Sequence, residues 1–127
     1  MKEFMLLIKN QGDGKAALSP EQQQQFLKAC QVYIEELMKN GKLKSAQPLI
    51  REGVIISGSA ESLTETAFDN TREIQVGYYH ILANDLDEAV AIAERNPEFA
   101  FVKGATIEVR PIKMIEQSTG FSYPSKK

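Results

Sequence analysis

The amino-acid sequence predicts an α+β domain of the ferredoxin-like kind: a split βαβ sheet with two helices on one face. Three observations lead there. The periodicities run β-α-β(β)-β-α-β along the chain. Two segments carry helix caps followed by apolar stripes at helical spacing. The first and third major strands are apolar on both faces, while the last strand alternates.

Residues 3–9, EFMLLIK, form a short apolar run suited to a buried strand. Phe4, Leu6 and Ile8 point one way, Met5 and Leu7 the other. The QGDGKAA loop follows and reads as a turn, since it lacks both the Walker spacing and a GxGxxG fingerprint. Ser19-Pro20-Glu21-Gln22 then opens a helix. Ser19 can accept from the exposed N–H groups, Pro20 suits the first helical position, and Gln22 completes a capping box. Phe26, Cys30, Tyr33 and Leu37 recur at helical spacing, with Leu27, Ile34 and Met38 beside them, and Asn40-Gly41 ends the helix near residue 40.

KLKSA is a weaker extended piece ahead of Pro48, and GVIIS, 53–57, reads as a strand or the far arm of a hairpin. Residues 58–72 are rich in Ser, Thr, Glu and Asn and read as loop. A second clear strand covers 73–83. By strict alternation Val76, Tyr78, His80 and Leu82 share a face, and Tyr79, Ile81 and Ala83 the other. Asp85-Leu86-Asp87-Glu88 starts the second helix with another capping box. Leu86, Ala89, Val90 and Ala93 form its stripe, and Asn96-Pro97 its end. The last strand spans about 105–114, with Ile107 and Val109 on one side and Thr106, Glu108 and Arg110 on the other. The domain is expected to cover 1–115. Residues 116–127 are polar, contain Gly and Pro, and read as a loose tail or an arm on a partner subunit.

Two helices can cover only one face of such a sheet. The apolar side chains on the second face therefore call for another cover, since roughly 25 cal/mol per Å² is forfeited where apolar surface stays wet. A homodimer stacking two sheets as an α+β barrel is the simplest arrangement.

Composition narrows the function classes. The chain has 127 residues, is 43% hydrophobic and 25% charged, and carries a net charge of −2, which fits one globular domain. The absence of a basic surplus speaks against nucleic acid and anionic lipid as partners. No apolar run approaches the roughly 20 residues of a membrane span. The opening MKEFMLLIK shows no secretory leader pattern, and the single cysteine cannot form an internal disulfide, so a cytoplasmic protein is expected.

TREIQVGYYHILANDLDEAVAIAERNP followed by KGATIEVRPI resembles the YCII-related domain family, especially its DGPF-motif branch. The carrying features are Gly77-Tyr78-Tyr79, Asp85-Leu86-Asp87-Glu88-Ala89, and Gly104 through Glu108-Val109-Arg110-Pro111. At the position of the DGPF motif stands Glu65-Thr66-Ala67-Phe68, which keeps the acid and the Phe and loses the Gly-Pro turn. The resemblance implies a dimeric α+β barrel. It also implies a His–Asp pair with the His on the first helix, and this chain has Cys30 and Gln31 there instead. The catalytic pair does not carry over.

His80 is the only histidine. A neutral imidazole can exchange protons near neutral pH, and Tyr78 on the same face could join it in lining a pocket; a hydrogen-bonded core histidine is the plainer alternative. Arg110 could hold a ligand carboxylate or phosphate, and Glu108 beside it could equally make a rim ion pair. Glu65 and Asp69 could bring carboxylates over a barrel mouth, or simply cap their own turns. Cys30 sits on an apolar stripe and reads as structural. No cofactor is expected, and one His with one Cys suggests no metal site.

Two functions remain in view: small-molecule binding in a dimeric-barrel pocket, with or without chemistry, and a non-catalytic interaction or regulatory module associated with transcription control. The second draws on the company the resembling family keeps. RNA binding is disfavoured, although Gly77-Tyr78-Tyr79 could suggest stacking aromatics. The pI is about 5.5, and the first strand offers Leu6-Leu7-Ile8 where a partner aromatic is wanted.

Overall fold

The computed structural model describes residues 1–69 and 72–124. A four-stranded antiparallel sheet runs in the order β2-β5-β1-β6, built from β1 (Lys2–Gln11), β2 (Leu43–Pro48), β5 (Glu73–Ala83) and β6 (Thr106–Pro111). Helices α1 (Pro20–Lys39) and α2 (Leu86–Glu94) pack on one face, with a short α3 (Glu98–Phe101) after α2. Two hairpins stand outside this sheet: β3 (Val54–Ser59) with β4 (Ser62–Ala67), and β7 (Ile115–Glu116) with β8 (Phe121–Ser122). Central β1 and β5 with edge β6 follow the order expected from the strand faces, and the architecture is compatible with a ferredoxin-like α+β fold.

The caps form locally. Ser19 Oγ accepts from Gln22 N–H at 3.1 Å, and the Gln22 side chain accepts from Ser19 N–H at 2.9 Å, so both halves of the box are made. At α2 the box shifts by one residue. Asp85 accepts from Glu88 N–H at 2.8 Å, while the Glu88 carboxylate reaches Asn84 N–H and the Lys42 ammonium. Lys42 lies just before β2, so the second box ties α2 to the sheet edge.

Phe4, Leu6 and Ile8 of β1 meet Tyr79, Ile81 and Ala83 of β5 beneath Tyr33 and Leu37 of α1 and Ala89, Ile92 and Ala93 of α2. Tyr33 stacks edge-on against Tyr79 at 5.5 Å between centroids, and its hydroxyl donates to the Ile92 carbonyl at 2.6 Å. That bond pins α1 to α2 inside the core. The stripe of α2 differs from the one read by spacing: Ile92 is buried, while Leu86 and Val90 face outward.

Three other readings are corrected. The ladder between β1 and β5 shifts between Ile8 and Lys9. Val76 is the extra residue of this bulge and turns into the core rather than sharing a face with Tyr78. Gly77 beside it lets β2 approach, since a Cβ there would lie 3.1 Å from the Gln47 carbonyl oxygen. Within residues 58–72, read as loop, Ser62–Ala67 form β4 and pair with β3 in register Val54↔Ala67 to Ser59↔Ser62. Residues 70 and 71 of that stretch lie outside the described residues. The tail is folded through Pro124: Tyr123 N–H donates to the Met114 carbonyl, and Gly120 N–H to that of Glu116. Residues 125–127 lie outside the described residues.

The β3–β4 hairpin is exposed along its whole length. The register puts Val54, Ile56, Leu63 and Ala67 on one face, with Glu65 among them. Ile55 shares the other face with Ser57, Thr64 and Thr66.

Candidate functional site

The sheet face away from the helices carries the polar chemistry. Across it run two rows set by the register. One is Ser45–His80–Met5–Arg110, and the next is Gln47–Tyr78–Leu7–Glu108. His80, Tyr78, Arg110 and Glu108 thus share one face. His80 and Arg110 are two strands apart, about 10 Å by strand spacing. Glu65 is elsewhere, exposed on β4 opposite Ile56.

His80 Nε2 lies 2.7 Å from Glu3 Oε1, and Lys44 Nζ lies 3.1 Å from the same oxygen. All three side chains are largely sheltered. Burial alone would raise the Glu3 carboxyl, but the hydrogen bonds from Lys44 and His80 outweigh it and hold the group below its ordinary range. Glu3 is therefore ionised and can only accept, so Nε2 carries the proton in this contact. In a neutral ring that leaves Nδ1 as the acceptor.

Around the pair lies a groove of about 730 Å³. Leu43, Leu82, Ile112 and Met114 give it apolar walls, Lys44 and Lys113 bring ammonium groups, and Tyr123 and Pro124 come from the C-terminal hairpin. A smaller cleft of about 340 Å³ between α1 and the sheet is lined by Cys30 and Tyr79 and bordered by the Gly77-Tyr78 segment, while its register keeps Tyr78 in the open-face row. At the polar end of that cleft Lys15 and Asn10 bond the buried Glu98 carboxylate, at 2.9 and 3.3 Å. Burial pushes the Cys30 thiol up to about 11 and the Tyr33 hydroxyl up to about 12. On β6, Glu108 takes the Lys9 ammonium at 2.8 Å and lies 3.7 Å from Arg110.

A model of the YCII-related domain matches residues 2–116. The chain belongs to the YCII-related domain family. No curated protein matches it. The matched span takes in the sheet, both major helices and the β3–β4 hairpin, and it ends with β7, ahead of Tyr123. The Glu3–His80–Lys44 group therefore lies inside the family domain, while part of the groove wall lies beyond it.

Sequence reasoning found His80 because it is unique. It missed Glu3 and Lys44, which only the strand register brings beside His80. It also missed Glu98, whose only local signal is the Pro97 helix start.

Proposed function

We propose that this YCII-related protein binds a small molecule in the groove around Glu3 and His80, and that a second copy roofs the open sheet face to close a dimeric α+β barrel. The observation that carries the reading is the 2.7 Å contact between Glu3 and His80 inside that groove. A carboxylate-held imidazole next to an apolar wall can orient a ligand and take a proton from it at Nδ1. The resulting imidazolium would face the ionised Glu3. The half-buried Met5, Leu7, Tyr78 and Leu82 on the same face support the second copy. Gly77-Tyr78-Tyr79 and the Gly104–Pro111 closing strand support a place in the DGPF-motif branch.

Sedimentation equilibrium tests the dimer: the expected mass is twice 14.2 kDa, and a single-chain mass rejects the closed barrel. Replacing His80 with Leu tests the site. Loss of ligand-induced protection against heat is expected. Unchanged protection with higher stability means the imidazole only packs.

A second reading, a non-catalytic interaction or regulatory module linked to transcription control, draws on the exposed apolar face of the β3–β4 hairpin. An isolated hairpin is marginal in water, so a protein partner could complete it. This reading expects a single-chain mass in solution.

A further inference from the structure

We propose that the C-terminal hairpin β7–β8 is a specificity cap on the Glu3–His80 groove, and that the groove takes a small carboxylate with a flat apolar body. The inference rests on the reading of that groove as a ligand site.

The cap is built as its own unit. Ile112 N–H donates to the Glu3 carbonyl at 3.0 Å, fixing the chain at the end of the sheet. Beyond that point the bonds close within the segment. Tyr123 N–H reaches the Met114 carbonyl at 2.9 Å, the Tyr123 hydroxyl donates to Glu116 at 2.6 Å, and Lys113 pairs with the same carboxylate group at 2.7 Å. Phe121 stacks edge-on against Tyr123 at 5.2 Å. These contacts hold Tyr123 and Pro124 on the groove wall, although both lie past residue 116, where the family match stops. The family domain supplies the Glu3–His80 pair, and a segment outside it shapes the opening.

The lining indicates the ligand class. Lys44 and Lys113 bring two ammonium groups to the wall, paired with Glu3 and Glu116, and the Lys113 ammonium has N–H donors beyond its one bond to Glu116 to offer an incoming carboxylate. Leu43, Leu82, Met114 and Tyr123 give apolar contact, and an aromatic side chain offers a face to a flat body. A monoanion with such a body matches both features.

The test uses the full chain, with benzoate and its uncharged analogue benzamide as probes, read by NMR at the His80 ring and the Met114 methyl. Benzoate should move both signals along one saturation curve, and benzamide should bind at least tenfold more weakly. Tyr123→Ala should weaken benzoate about tenfold, and Lys113→Gln should remove most of the preference for benzoate over benzamide. Equal binding of the two probes overturns the carboxylate class and leaves the groove standing. Benzoate binding unaffected by Tyr123→Ala overturns the cap. If neither probe moves the His80 signal, the inference and the groove reading beneath it both fall.

Discussion

Glu3 and His80 are diagonal neighbours on adjacent antiparallel strands: the register sets Glu3 opposite Leu82 and His80 opposite Met5, yet the two side chains meet at 2.7 Å. Both project from the open face, and their contact spans one step along the ladder. Lys44 closes on the same carboxylate from β2. Three strands are thereby joined by side chains as well as by their backbones.

The depressed Glu3 carboxyl makes this group's contribution pH-dependent. An acid whose folded value lies below its unfolded one stabilises above the unfolded value, near 4.5, and loses that contribution as pH falls through the folded value. Glu3→Gln should cost on the order of 1 kcal/mol at pH 7. Urea unfolding of both proteins from pH 7 to pH 3 should show the gap narrowing below 4.5. A gap constant with pH would mean that the carboxylate charge contributes nothing.

Tyr33 donates its buried hydroxyl to the Ile92 carbonyl. Tyr33→Phe keeps the ring against Tyr79 and leaves that carbonyl with the Arg95 N–H at 3.2 Å as its remaining donor. The expected loss is about 1 kcal/mol, measured by chemical denaturation. A loss below a few tenths would show that water replaces the hydroxyl.

Gly58 sits at φ +113 near the end of β3, opposite Leu63 and just ahead of the hairpin turn, where a Cβ would come 2.1 Å from the Ser62 carbonyl oxygen. Gly58→Ala should therefore unmake the hairpin turn. Since β3 and β4 are exposed throughout, the main sheet should survive. Cross-strand proton contacts between Ile56 and Glu65 should vanish while the amide protection of β1 and β5 is kept. Loss of both would show that the hairpin supports the core.

Cys30 should be a slow nucleophile. With its thiol near 11 against about 8.5 for a free cysteine, the thiolate fraction near neutral pH falls by two to three orders of magnitude. Iodoacetamide labelling at pH 7.5 should be correspondingly slow in the folded chain and recover in denaturant. Rapid labelling of the native protein would contradict a sheltered thiol.

Much of the fold was legible because local chemistry and long-range packing agree. Ser19, Pro20 and Gln22 announce α1 by themselves, and the doubly apolar strands announce the centre of the sheet. Val76 was misplaced because an alternation count cannot see an extra residue that shows only in the pairing with β1. The second hairpin strand was missed because Ser62–Ala67 buries neither face and so shows no apolar periodicity. In the site, His80 stood out by type. Glu3 did not, since 77 residues separate the pair and only the register brings them together. Tyr123 lay in a polar stretch whose order comes from its own cross-bonds to Met114 and Glu116.

The bulge carries a consequence for how this strand tolerates changes of length. Val76 is supernumerary in the ladder, with Gly77 paired to Ile8 and Gln75 to Lys9 on either side of it. A chain lacking that one residue would keep Tyr79 and Ile81 inward and His80 outward, and Ile74 and Gln75 would stay on their present sides. The same excision at Ile81 would reverse the residues between it and the bulge, turning Tyr79 outward and His80 inward. β5 thus contains one spot where a single-residue gap is silent for sidedness, flanked by stretches where it would be ruinous.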